Sequence, residues 1–228
     1  MLAKGCYNEE SLRRISLNGQ RVTESLLQEL GAALNRAGNP VTSLQLSMTG
    51  IADGGSRIIS GWLRSEECSL QELDLSLNEM SEAGMLEIAE ALSSESSKLL
   101  ALNLSLQKSD SGASVKTLEA FTKSLESNTH LSLLSLHMNS IPGYGTEEEE
   151  DEDSEEVIKG RVLRAVLNEG IARNRVLTGA FAESSDEEGA EGAGVGGASD
   201  SEDGEYSEVD SDDFQQLVEK LQKRQRRH

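Results

Sequence analysis

"LQELDLSLNEMSEAGMLEIAEAL" occupies Leu70–Leu92, and two periodicities meet in it. Leu70, Leu73 and Leu75 recur at spacings of three and two, after which Ile88, Ala89 and Leu92 recur at helical spacing. Alternation belongs to a strand, whereas a helix face returns about every 3.6 residues. Asn78 and Gly84 stand where one rhythm gives way to the other. A unit that changes period within so few residues reads as one strand followed by one helix.

The unit repeats. "LRRISLNGQ" begins at Leu12, "VTSLQLSMT" at Val41, "LQELDLSLN" at Leu70, "LLALNLSLQ" at Leu99 and "LSLLSLHMN" at Leu131, giving intervals of 29, 29, 29 and 32 residues. Apolar residues fill the first, fourth and sixth places of every copy. The ninth place is Gln20, Thr49, Asn78, Gln107 or Asn139. Each of these side chains can both donate and accept, as a turn needs in order to satisfy backbone groups between stacked coils. Val22, Ile51, Met80 and Ile141 follow two places later and turn back inward, while the copy at Leu99 has Ser109 there. Helix faces come next: Leu26, Leu30 and Leu34; Ile58, Ile59, Trp62 and Leu63; Ile88 and Leu92; Leu118, Phe121 and Leu125. One strand and one helix of this size cannot bury both apolar faces alone, so the units must stack.

Over about residues 8–180 this pattern resembles the leucine-rich repeats of the ribonuclease-inhibitor-like subtype, LxxLxLxxN followed by a full helix. The likeness extends more distantly to Ran GTPase-activating proteins and NLR-type repeats. It implies an α/β fold: a right-handed leucine-rich-repeat solenoid (horseshoe) with parallel strands on the concave face and helices on the convex face, followed by a disordered acidic tail.

With 36% hydrophobic and only 3% aromatic residues, any core must be aliphatic, which suits a leucine-built stack. The net charge of −20 is unevenly spread. Residues 1–146 hold 17 acids and 11 bases, but residues 147–228 hold 24 acids and 10 bases. Such a balance disfavours nucleic acid and favours basic partners or solubility. Two cysteines, Cys6 and Cys68, make no disulfide framework; no secretory leader or membrane span is legible, and a cytoplasmic or nuclear setting is expected.

"TEEEEDEDSEE" places nine carboxylates between Glu147 and Glu156, read as a disordered insertion at 145–156 within the fifth repeat. The helix pattern resumes over 161–174 with Val162, Val166, Leu167 and Ile171, and Leu177–Phe181 reads as a vestigial sixth strand. The repeat domain is therefore expected over 1–182. Residues 183–213, rich in glycine, serine and acids, read as a disordered linker. Ser184, Ser185, Ser199 and Ser207 each precede an acid by three places and are candidate phosphorylation sites. Residues 214–228 carry Phe214, Leu217, Val218 and Leu221 at helical spacing, then a basic end, and predict a short amphipathic helix.

No metal-ligand grouping joins His130, His137 and His228 to the cysteines, and no nucleophile-elbow or phosphate-loop pattern occurs. The expectation is a non-enzymatic protein-interaction scaffold with no cofactor, small-molecule substrate or membrane. One alternative is a GTPase-activating protein of Ran type, with Arg21 after the first strand as the arginine that the resemblance would require. Another is an acidic, chaperone-like binder of basic proteins such as histones, using the acidic loop and tail.

Partner binding is expected on the concave face, where residues flanking the core leucines stand in adjacent rows. These are Arg14, Ser16 and Asn18; Ser43, Gln45 and Ser47; Glu72, Asp74 and Ser76; Asn103 and Ser105; Ser135 and His137. A face of this kind offers area rather than a deep chemical pocket.

Overall fold

The computed structural model describes residues 12–108, 112–144 and 154–179. The chain divides after Thr178: Met1–Thr178 form one unit, and of the second, Gly179–His228, only Gly179 is among the described residues. The linker, its four serines and the terminal helix expected at 214–228 therefore lie outside the described residues, as do 145–153 of the acidic insertion.

Strands and helices alternate: β1 (Arg14–Ser16), α1 (Glu24–Leu34), β2 (Ser43–Gln45), α2 (Asp53–Leu63), β3 (Glu72–Asp74), α3 (Glu82–Leu92), β4 (Ala101–Asn103), α4 (Val115–Ser127), β5 (Leu133–Ser135) and α5 (Glu155–Leu177). The five strands form one parallel sheet in chain order. Its register keeps the sequence repeat, with Arg14 opposite Ser43, Glu72, Ala101 and Leu133 in turn. Each strand returns through a helix, so strand C-termini and helix N-termini share one edge of the unit.

The first, fourth and sixth places are fully buried in the three inner coils, as in Leu44 and Leu46, Leu70, Leu73 and Leu75, and Leu99, Leu102 and Leu104. Each such leucine contributes about 1.5–3 kcal/mol through burial. At the open end Leu12 is exposed and Ile15 and Leu17 are half-buried. On α1 the buried face is Leu27, Gly31 and Leu34, so Leu26 and Leu30 only flank it. Gly31 is there because a Cβ would stand 2.0 Å from Nε1 of the buried Trp62, which packs across from α2.

The ninth place does what its chemistry promises. Asn78 is buried, and its Nδ2 donates to the carbonyls of Leu46 (2.8 Å) and Leu75 (2.9 Å). Its Oδ1 accepts from the amides of Thr49 (3.0 Å) and Ile51 (3.1 Å) in the preceding coil. Asn139 holds Leu104, Leu136 and Gln107 in the same way. Gln107 Nε2 in turn reaches the Leu75 carbonyl at 2.8 Å. Backbone groups that the short strands leave unpaired are thereby satisfied between coils.

The last helix departs from expectation. It starts at Glu155, with Glu155 and Glu156 in its first turn, where the helix dipole favours acids. It continues through Leu177, so no sixth strand begins there. In "LESNTHL" the helix stops at Ser127, whereas "IARNRVL" keeps the asparagine as Asn174 but has Arg173 and Arg175 in place of Ser127 and Thr129, and these prolong the helix. Its buried residues are Val157, Gly160, Leu167, Ile171 and Asn174, while Val162 and Val166 face solvent. Gly160 lets the helix sit directly on the chain after β5, since a Cβ there would meet the Pro142 carbonyl oxygen at 1.8 Å. Arg164 lies over the Tyr144 ring at 5.4 Å.

Candidate interaction surface

The strand face carries the residues read as partner-binding, and the structure sorts them by exposure. Arg14, Ser16 and Asn18 are exposed, and Gln45, Ser47 and His137 are half-buried. Ser43, Glu72, Asp74, Ser76, Asn103, Ser105 and Ser135 are buried. Their polar atoms are used largely on one another. Ser76 donates its hydroxyl to Asp74 Oδ1 at 2.7 Å and lies 2.9 Å from Ser47 Oγ. Asn103 Oδ1 accepts from the Ser105 hydroxyl at 2.7 Å, and Ser105 Oγ meets Ser135 Oγ at 2.6 Å. Asn18 Oδ1 accepts from the Ser47 amide at 2.9 Å. Arg14 approaches Glu72 at 3.9 Å, bridging from the first coil to the third. The face is a polar network that stitches rows together, and its exposed part lies toward the first coil.

Two ladders on the shared edge went unread in the sequence. Asp53 accepts from the Ser81 amide (2.8 Å) and hydroxyl (2.6 Å), where Ser81 caps α3. Glu82 accepts from the Ser114 amide and hydroxyl and from the Thr117 hydroxyl, where Ser114 caps α4. Glu24 brings its carboxylate against Gly54 at the start of α2. The first-turn acid of one helix thus holds the start of the next, a favourable place for negative charge. The signal was present as an acid recurring at 24, 53 and 82. Burial alone would raise the Glu82 carboxyl, but the Ser114 and Thr117 hydrogen bonds, with the Lys116 charge, hold it below the ordinary carboxylate range.

The second ladder is backbone. Gly19 and then Met48, Leu77, Leu106 and Met138 occupy the eighth place, all in the left-handed region at φ of 71°, 57°, 56°, 58° and 56°. Each amide of the first four donates to the next coil: Gly19 to Ser47, Met48 to Ser76, Leu77 to Ser105 and Leu106 to His137. Met48, Leu106 and Met138 are exposed and Leu77 half-buried.

Other candidate chemistry is quiet. Cys68 is buried, and that burial raises its thiol above the ordinary value despite the Leu70 backbone and Lys98. Arg21 is exposed in the connection between β1 and α1. Among the described residues, no group of three or more His, Cys, Asp or Glu could hold a metal, and no helix is long and apolar enough to cross a membrane.

No family model matches the chain, and no curated protein matches it in sequence. Solved structures do match in shape. Leiomodin-1 actin-binding site 2 superposes with a TM-score of 0.56 at 21% identity, covering 75% of this chain and 84% of that one. The tropomodulin C-terminal domain of Caenorhabditis elegans superposes at 0.55 with 16% identity, covering 74% of this chain and 87% of that one. The fold likeness is to tropomodulin and leiomodin domains. It corrects the expected kinship with ribonuclease-inhibitor-like leucine-rich repeats, and with Ran GTPase-activating and NLR-type repeats. The physical reason is that leucine spacing reports a repeating β–α coil, a demand of stacking rather than the mark of one family. Neither the GTPase-activating nor the histone-binding reading gains support from these likenesses.

Proposed function

We propose that this chain is a non-enzymatic protein-binding module and that actin is the partner to test first. The supporting observation is the shape likeness, over three quarters of the chain, to a domain described as an actin-binding site. In this reading the coils form a right-handed solenoid with the strands on its concave side, and the repeat domain extends to residue 182. The acidic linker and the segment 214–228 follow it, inside the cell, with Ser184, Ser185, Ser199 and Ser207 open to phosphorylation. Arg14, Ser16, Asn18, Gln45, Ser47 and His137 are the accessible polar residues of the strand face and the first to substitute.

The test is direct binding of the full chain to monomeric actin by fluorescence anisotropy, with co-sedimentation on filaments in parallel, at physiological salt. Saturable one-to-one binding to either form, weakened by an Arg14→Glu, Asn18→Ala pair, supports the proposal. Absence of binding to both forms removes actin as the partner.

A further inference from the structure

"LRRISL" at Leu12–Leu17 carries chemistry that the repeat does not require. Arg13 and Arg14 stand three and two places before Ser16, and Leu17 follows it. Among the described residues three hydroxyls lie three places after an arginine: Ser16 after Arg13, Ser60 after Arg57 and Thr178 after Arg175. The structure closes two of them. Ser60 is fully buried within α2, and the Thr178 hydroxyl donates to the Asn174 carbonyl at 2.8 Å. Of the three, Ser16 alone has a second arginine, two places before it, and it is exposed together with both arginines. Ser47, Ser76, Ser105 and Ser135 use their hydroxyls in the polar network, but among the described residues the Ser16 hydroxyl has no partner.

We propose that Ser16 is the acceptor of an arginine-directed serine kinase. Such an enzyme takes two guanidinium groups ahead of the serine on paired carboxylates, and an apolar side chain behind it. ATP supplies the phosphoryl group. The Ser16 Oγ bonds to the γ-phosphorus and its proton passes to a carboxylate of the kinase, while the bond to the β–γ bridging oxygen breaks and ADP leaves. The assignment stands whether or not actin is the partner. The acids that follow Ser184, Ser185, Ser199 and Ser207 suit a different class of kinase.

A kinase cleft takes its substrate as an extended chain, and the fold offers one here. β1 stands at one end of the strand order, and among the described residues it pairs with β2 alone. Its bonds to that neighbour run through the Arg13 carbonyl, which accepts from the Thr42 and Ser43 amides, and the Leu17 amide, which donates to Gln45. By alternation the backbone groups of Arg14 and Ser16 stand on the outer edge. Few side chains anchor this coil: Leu12 is 54% exposed, and Ile15 and Leu17 are half-buried. A coil held on one side opens at low free energy, and that opening releases Leu17 to the kinase. The inner strands lack this freedom, because Leu44, Leu73 and Leu102 are fully buried. The phosphate adds about −1.5 to −2 charges to the accessible part of the strand face. The Arg14 guanidinium, 3.9 Å from Glu72 in the unmodified chain, then has a stronger acceptor two places away.

The test incubates the full chain, under native conditions, with magnesium-ATP and the catalytic subunit of an arginine-directed serine/threonine kinase. Intact mass reads the phosphate added, and fragmentation locates it. The expected result is phosphate on Ser16, absent in Ser16→Ala, with the initial rate lowered about tenfold or more in Arg13→Gln and in Arg14→Gln. Ser16→Ala should keep the parent Tm, because the hydroxyl it removes has no partner among the described residues, so lost labelling there reports chemistry rather than unfolding. An acid-directed kinase should leave Ser16 unlabelled. Equal labelling of the parent and Ser16→Ala would overturn the proposal. Labelling of Ser16 that appears only after denaturation would overturn it too, since the fold would then shut the segment.

Discussion

Helices α3 and α5 are built on the same plan and end differently. Six of the eleven residues of α3 are buried, but only five of the twenty-three of α5. α3 lies between α2 and α4 and meets a neighbour on both flanks, whereas α5 is packed against α4. An inner helix can seat apolar residues around much of its girth, as Met85, Ile88, Ala89, Ala91 and Leu92 do. The last helix has one face to fill and fills it with unusual residues. Gly160 allows close approach, and Asn174 donates to the carbonyls of Asn128 (2.9 Å) and Leu131 (3.0 Å). Stacking, rather than helix propensity, decides what each position must be.

The contrast is easiest to break at the asparagine ladder. Asn78→Ala leaves the buried Thr49 and Ile51 amides without their acceptor, while the Leu46 and Leu75 carbonyls keep the Thr49 hydroxyl and Gln107 Nε2, and should cost about 2–4 kcal/mol in denaturant unfolding. Gln20→Ala, at the exposed end of the same row, should change stability by less than about 0.5 kcal/mol. Similar losses at both positions would mean that the interior ladder has no special weight.

The next comparison lies within α5. Leu167→Ala should cost about 2–4 kcal/mol, since its side chain is buried against the stack. Val162→Ala, at 59% exposure, should be close to neutral. Equal effects would show that the helix uses the face that the sequence first suggested. Between α1 and α2, Gly31→Ala drives a methyl group into Trp62 and should cost about 1–3 kcal/mol, with a changed Trp62 fluorescence maximum.

The smallest effect is electrostatic. The Glu82 carboxyl is held below its ordinary value in the folded state, so its contribution is present above the unfolded carboxylate pKa and fades as pH falls through the lower folded value. A stability profile between pH 6 and 3 should therefore lose a little of its acid slope in Glu82→Gln. A slope identical to that of the parent would place the acid sensitivity elsewhere.

Much of this architecture was legible, and the limits have physical causes. The 29-residue spacing gave strand register directly, because equivalent residues must pair: Leu44 with Leu73, and Leu73 with Leu102. The role of Asn78 followed from its donor and acceptor chemistry. Where coils end, the pattern failed. Leu177 repeats the spacing of Leu131 yet stays helical: Asn174 stands where Asn128 does, but Arg173 and Arg175 replace Ser127 and Thr129 beside it. The strand-face residues also bond to one another, as Asp74, Asn103 and the serines do, which side-chain alternation cannot reveal. The eighth-place row was passed over because exposed apolar residues carry no periodic signal of a core.

The most direct measurement is hydrogen exchange on the full chain, alone and saturated with monomeric actin. New protection is expected on the accessible parts of the strand face, around Arg14–Asn18, Ser47 and His137. The amides of Thr49 and Ile51, already held by Asn78, should stay equally slow in both states. Saturation with actin that leaves every coil amide unchanged would contradict the claim that this stack of coils is the binding module.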